Sequence, residues 1–176
     1  MKAPEIGSEP TGRDFQCLPI PGEETGSIRK PPCAIEISSP EGIVITAKAI
    51  WTDNERYLGE ASSRHAIVMD TAAEKTASTP MELVLIALCG CTASDVVGIL
   101  RKKREPFTSL EVSATGERAS GYPAVYTEIS LVYRIGGKVS RKAAEDAVRL
   151  SKEKYCSVSA MLEKSAKITS KLELVD

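Results

Sequence analysis

The chain has 176 residues, 42% of them hydrophobic and 27% charged, and a net charge of -1. That length suits one compact domain, and the composition is that of an ordinary soluble globular protein rather than a disordered or membrane chain. The near-neutral balance supplies no general field for nucleic acid or anionic lipid. The longest apolar stretch, Leu83 to Ser94 between Glu82 and Asp95, is too short to cross a bilayer.

Residues 1–40 hold seven of the ten prolines together with Gly7, Gly12, Gly22 and Gly26. This composition predicts a loop-rich arm that wraps a neighbour or stays mobile, with one short strand-like alternation from Cys33 to Ser39. Glu5, Glu9 and Pro4 stand where a signal peptide needs an apolar core, so the expectation is a cytoplasmic protein. A regular domain is expected over 41–176. Residues 43–53 are β-branched and strand-like, Asp53-Asn54 supplies a turn, and Tyr57–Gly59 and His65–Met69 continue a meander. Thr79-Pro80-Met81-Glu82 is a complete helix start, with Thr79 as N-cap, Pro80 at the first position and Glu82 in a capping box. The helix should run to about Arg101 and, being apolar almost all round, should be buried. The Arg101-Lys102-Lys103-Arg104 run that follows reads as a solvated last turn complementing the helix dipole, ahead of a polyanion site.

Two alternating strands come next. Leu110, Val112 and Ala114 share one face of the first; Val125, Ile129, Leu131, Tyr133 and Ile135 share one face of the second, with a Gly121-Tyr122-Pro123 turn between them. Gly136-Gly137 ends the second strand, and Ser140 caps an amphipathic helix reaching about Lys154. A short helix runs from Ser157 to about Lys164. Ile168, Ser170, Leu172 and Leu174 alternate in a closing half-buried strand. The fold class is therefore α+β, with antiparallel sheets packed on helices.

Five cysteines (17, 33, 89, 91 and 156) and a single histidine, His65, bound the chemistry. An odd count in a reducing compartment argues against a disulfide framework and leaves catalytic or redox use open. With no CxxC pair and one histidine, no metal is expected. Without a GxSxG elbow, P-loop or GxGxxG, no cofactor is expected either. His65, in a strand pattern with apolar followers, reads as a structural histidine. Cys91 lies mid-helix on a stripe with Val84, Leu88, Asp95 and Ile99, where a free cysteine is ordinarily a small hydrophobe. Two features favour a working role. Asp95, one turn on, is a charge on an apolar helix and needs a partner; Gly90 and Ala93 leave room beside the thiol. Cys89 points to another face and reads as packing. Cys156 stands where a helix begins, a position that lowers a thiol pKa, against the alternative of a buried interhelix cysteine. Cys17 and Cys33 are incidental. Glu82 is explained by capping.

The segment Thr-Pro-Met-Glu-Leu-Val-Leu-Ile-Ala-Leu-Cys-Gly-Cys-Thr-Ala-Ser-Asp-Val-Val (79–97), with Glu-Lys-Tyr-Cys-Ser-Val (153–158) further on, resembles the osmotically inducible protein C and organic hydroperoxide resistance (OsmC/Ohr) family. The resemblance is nearest to its OsmC-like branch, spans residues 43–176, and includes His65-Ala66-Ile67-Val68-Met69-Asp70. It implies an intertwined homodimer, with sheets wrapped around paired central helices and active sites at the interface. It places Cys91 on the family's peroxidatic cysteine and Cys156 on its resolving cysteine. The implied partners are an organic hydroperoxide substrate and a dithiol reductant such as a lipoylated protein. Glu82, Arg64 and Asp95 are the candidate supporting residues, Arg56 being a weaker one. The chain departs from peroxidase members in one respect: Met81 follows the proline where they carry a glutamate that pairs with an arginine. The alternative is therefore a non-enzymatic redox-sensing or apolar-ligand-binding protein that lacks this Glu–Arg relay.

Overall fold

The computed structural model describes residues 44–175; the 1–40 arm, its Cys33–Ser39 pattern, Cys17 and Cys33 lie outside them. Two three-stranded sheets and three helices make up the described chain. The first sheet is a meander of β1 (Ala47–Asp53), β2 (Arg56–Ala61) and β3 (Ala66–Asp70), antiparallel throughout. Asn54 turns the first hairpin with φ 44°, and the Trp51 indole N–H donates to its carbonyl at 2.8 Å.

Helix α1 (Pro80–Lys102) starts as its sequence dictates. The Thr79 hydroxyl accepts from the Glu82 N–H at 3.2 Å, while the Glu82 carboxylate accepts from the Thr79 N–H at 2.6 Å and its hydroxyl at 2.8 Å. Asp70, which the sequence does not mark, braces the preceding loop. Its carboxylate accepts from the N–H groups of Ala72 and Thr76 and from the Thr76 hydroxyl, so the loop arrives at Thr79 in a fixed path.

The second sheet is β4 (Phe107–Arg118), β5 (Tyr126–Gly137) and β6 (Lys167–Val175), with β5 central. β4 and β5 form an antiparallel hairpin. β6 lies parallel to β5, because the chain crosses over through α2 (Arg141–Leu150), a π-helical turn (Ser151–Tyr155) and α3 (Ser157–Leu162) before rejoining the sheet. Ile129, Leu131, Tyr133 and Ile135 are buried as the alternation predicts. At the strand start Tyr126 is buried and Val125 exposed, because a bulge pairs Arg118 with Tyr126 and shifts the inward phase by one residue. Gly116 makes room for that ring, since a Cβ there would lie 2.6 Å from Tyr126 Cε1. The core joins these residues to Leu88, Val96, Leu100, Ala144, Ala147 and Val148.

The expectation of a helix buried on all sides is met along one stripe only. Leu88, Thr92, Val96 and Leu100, spaced four apart, are the buried residues of α1 within the chain, and Ile86 is 56% exposed. The buried stripe shares Leu88 with the Val84–Leu88–Cys91–Asp95–Ile99 line and from there runs one residue along from it, so Cys91 and Asp95 flank it half-buried. The first sheet is likewise bare. No residue of β1 is buried, and Trp51, Ile50, Ile67 and Val68 are exposed.

The capping box should be measurable. Thr79→Ala is expected to lower the unfolding free energy by about 1 kcal/mol, read by denaturant titration. Thr79's donors hold the Glu82 carboxyl below its usual range. That contribution is present above the ordinary glutamate pKa and lost as pH falls through the lowered value, so the gap between wild type and variant should narrow in acid.

Candidate functional site

The middle of α1 meets the start of α3 at a pair of thiols and a carboxylate. Cys91 and Asp95 are one helical turn apart on α1 and share a face. Cys156 approaches from the crossover, as the N-cap of α3, and is 3% exposed. The Cys91 Sγ, the Cys156 Sγ and an Asp95 carboxylate oxygen all lie within 4.8 Å of one another.

The π-helical turn makes this meeting possible. In an α-helix, five positions rotate a residue by about 500°, which leaves it roughly 140° off the starting face. Here the Cys156 N–H donates to the Ser151 carbonyl at 2.8 Å, an i to i−5 bond that widens the turn. Ser151 and Cys156 are consequently both buried, and both work on the α1 side of the crossover.

Asp95 finds its partner within its own chain. The Ser151 hydroxyl donates to Asp95 Oδ2 at 2.9 Å. Ser151 Oγ lies 2.9 Å from Thr92 Oγ1, which lies 2.7 Å from the Tyr133 hydroxyl. Each hydroxyl has a single proton to give. Since Ser151 gives its own to Asp95, Thr92 must donate to Ser151 and Tyr133 to Thr92. Three side chains from β5, α1 and the π-helical turn thus form one chain of donors directed at the Asp95 carboxylate. Thr92, Tyr133 and Ser151 are buried. Sequence reading found the lone acid but not these three; the only signal was that a carboxylate on an apolar helix requires donors.

Cys156 does begin a helix, and the Ser159 N–H donates to its sulfur at 3.4 Å. Burial nevertheless outweighs this and pushes the thiol up, with the Ser159 contacts offsetting part of the rise and Cys91 adding to it. Cys156 is therefore a neutral thiol near neutral pH. Cys89 is half-buried, is also raised by burial, and packs against the core. The remaining candidates stand elsewhere in the chain. Glu82 is engaged in the helix cap. Arg64, with φ 60°, occupies the turn between β2 and β3, and Arg56 begins β2 beside Asp53. Within one chain, only Cys91, Cys156 and Asp95 of the sequence candidates come together.

A cleft of about 370 Å³ opens beside Asp95. Gly98, Ile99, Leu150 and Tyr155 line it, with the exposed Lys102 also among its walls. A Cβ on Gly98 would meet nothing within 4 Å, so the cleft is open along that side of α1.

Residues 73–171 match the family model described as OsmC-like protein. The chain belongs to the OsmC-like family. It is 44% identical over 130 residues to protein YhfA of Escherichia coli strain K12, covering 73% of this chain and 97% of that one. A crystal structure of a hypothetical protein from Aquifex aeolicus VF5 superposes with a TM-score of 0.67 at 33% identity, covering 77% of this chain and all of its own. A Legionella pneumophila protein described as an organic hydroperoxide resistance protein OsmC shares the fold, with a TM-score of 0.60 at 15% identity over 76% of this chain and 99% of that one.

The directed hydroxyl chain predicts an order of stabilities. Ser151→Ala leaves the Thr92 proton without an acceptor and takes a donor from Asp95, and should cost about 1–3 kcal/mol. Tyr133→Phe leaves Thr92 still donating to Ser151 and should cost less, about 1 kcal/mol. Equal losses in chemical unfolding would contradict the assigned direction.

Proposed function

We propose that this OsmC-like protein is a thiol-dependent peroxidase that reduces organic hydroperoxides, with Cys91 as the peroxidatic and Cys156 as the resolving cysteine. The observation that carries the reading is the meeting of both sulfurs and the Asp95 carboxylate within 4.8 Å. The Cys91 thiolate attacks the terminal peroxide oxygen and the O–O bond breaks. The alkyl-bearing oxygen takes a proton and leaves as the alcohol, and Cys91 keeps the hydroxyl as a sulfenic acid. Cys156 then attacks that sulfur. Its own proton and the hydroxyl depart as water, and a Cys91–Cys156 disulfide remains. Because burial holds Cys156 as a thiol, its proton needs an acceptor, and Asp95 is within reach. A dithiol reductant, such as a lipoylated protein, regenerates both thiols by exchange through a mixed disulfide and leaves as its own disulfide. The cleft beside Asp95 is lined by Ile99, Leu150 and Tyr155 together with Ser94, Lys102 and Lys103, and its apolar part would take the alkyl group of an organic peroxide. The organic hydroperoxide resistance named for the Legionella relative supports the same chemistry.

The working unit in this reading is a cytoplasmic homodimer with its sites at the interface. A three-stranded sheet wet on both sides has little independent stability, and the exposed Trp51, Ile50, Ile67 and Val68, with Ile86 on α1, would be covered by a second copy. Arg64 would reach a thiol only across such an interface.

One observation favours a second reading. Both donors on Thr79 bind Glu82 and Met81 occupies the position of the family glutamate, so no Glu–Arg relay is at hand to activate Cys91. The chain would then be a redox sensor or a binder of apolar ligands that forms the disulfide without turnover.

Peroxide consumption by the reduced protein with dithiothreitol separates the two. The peroxidase reading expects cumene hydroperoxide to be removed much faster than hydrogen peroxide. Cys91→Ser should fall to the uncatalysed background, and Cys156→Ser should stall without a disulfide. Slow turnover by wild type with both thiols intact favours the second reading. A companion variant, Gly98→Leu, fills the cleft and should raise KM for cumene hydroperoxide by about tenfold while leaving the reaction with hydrogen peroxide unchanged.

A further inference from the structure

We propose that Cys91, Asp95 and Cys156, when the thiols are reduced, form a binding site for a divalent zinc-like cation. The sequence offers no metal spacing, since Cys156 lies far along the chain from the other two. The fold supplies the missing proximity, and three potential ligand atoms stand within 4.8 Å of one another. Two ligands at about 2.3 Å from a tetrahedral ion are roughly 3.8 Å apart, so a small closure of these side chains encloses the ion.

Several features suit the donor set to this purpose. Cys91 and Asp95 project from successive turns of one rigid helix, and Cys156 faces them from the fixed start of α3. The ligands are already oriented from behind: Ser151 donates to Asp95 Oδ2, and the Ser159 N–H donates to the Cys156 sulfur. Such outer contacts are what hold metal ligands in place. A carboxylate has acceptor capacity for both a hydroxyl and a metal. Two thiolates and a carboxylate repel one another unless a cation lies between them. A set with two sulfurs selects zinc or cobalt over magnesium or calcium. Three protein ligands leave the fourth position to water, as in open zinc sites.

A disulfide consumes both sulfur ligands, so metal binding and Cys91–Cys156 oxidation are alternative states of one site. The proposal does not depend on peroxide turnover, and its test contains no peroxide.

The full-length protein, reduced with a phosphine and kept anaerobic, would be titrated with cobalt(II) and then with zinc(II). The expected result is one cobalt per chain, with a near-ultraviolet sulfur-to-cobalt charge-transfer band and the intense visible bands of a four-coordinate ion, both bleached by zinc. Cys91→Ser and Cys156→Ser should each at least halve the charge-transfer band, and Asp95→Asn should weaken cobalt binding by about tenfold with the band retained. A Cys17→Ser/Cys33→Ser/Cys89→Ser variant should bind as wild type does. Absence of the band in wild type whose five thiols titrate as free would overturn the proposal whatever the variants do. So would a band that survives both Cys91→Ser and Cys156→Ser at full strength.

Discussion

Asp95 is a carboxylate on the most apolar helix of the chain, and the cost of desolvating it shapes what surrounds it. A half-buried charge has to be met by donors, and here the donors come in series: Tyr133, Thr92 and Ser151 each pass one proton toward the acid. Hydrogen bonds arranged head to tail polarise one another. The last of them ends on the only charged member, where charge assistance is greatest. The series crosses three elements, so satisfying Asp95 also docks α1 against β5 and against the π-helical turn. That docking brings the Cys156 sulfur to Cys91. The hydrogen-bonded series thus adds to the apolar contacts of Leu88, Val96 and Leu100 in setting where the thiol pair lies.

Much of this was legible in residue order. Thr79, Pro80 and Glu82 specify a helix start through local bonds, and local bonds depend on neighbours a few residues away. The alternation through Ile129, Leu131, Tyr133 and Ile135 depends only on the two-residue period of a strand. What could not be read depends on insertions or on distant partners. The π-helical turn adds a residue to a helix without altering its composition, so Ser151 looked like one more polar position on an amphipathic helix. The bulge that turns Tyr126 inward and Val125 outward is likewise a change of phase. The parallel pairing of β6 with β5 follows from a crossover, whose return direction no single strand encodes. Nothing local marks Thr92 or Tyr133 as a donor, because the partners lie 59 and 41 residues away. Of the site, the two cysteines and the lone acid were legible and the donors that place them were not.

The apolar surface left on α1 and on the first sheet bears on function as well as on stability. An exposed apolar patch of this kind marks a contact surface. The helix carrying Cys91 and Asp95 has its inner stripe fixed against the core and its outer side uncovered in the single chain. Whatever covers that side sets how much water reaches the thiols and whether a cation such as Arg64 can approach them from another copy. The single chain sets the geometry of the sulfurs, and in the proposed dimer a second copy would complete their electrostatics.

That division bears on both proposed uses of the site. Cys156 is buried and raised, which suits a thiol that waits for a sulfenic acid and makes a poor first nucleophile. In the proposed reaction the first step falls to Cys91, and the Asp95 carboxylate beside it invites a positive charge as its counterpart. An arginine from a partner would provide it for attack on a peroxide; a divalent ion would provide it while occupying the sulfurs and blocking that attack. The same anionic geometry thus calls for a cation in either case. On the two proposals together, the cation that arrives would decide whether the thiol pair reacts or is protected.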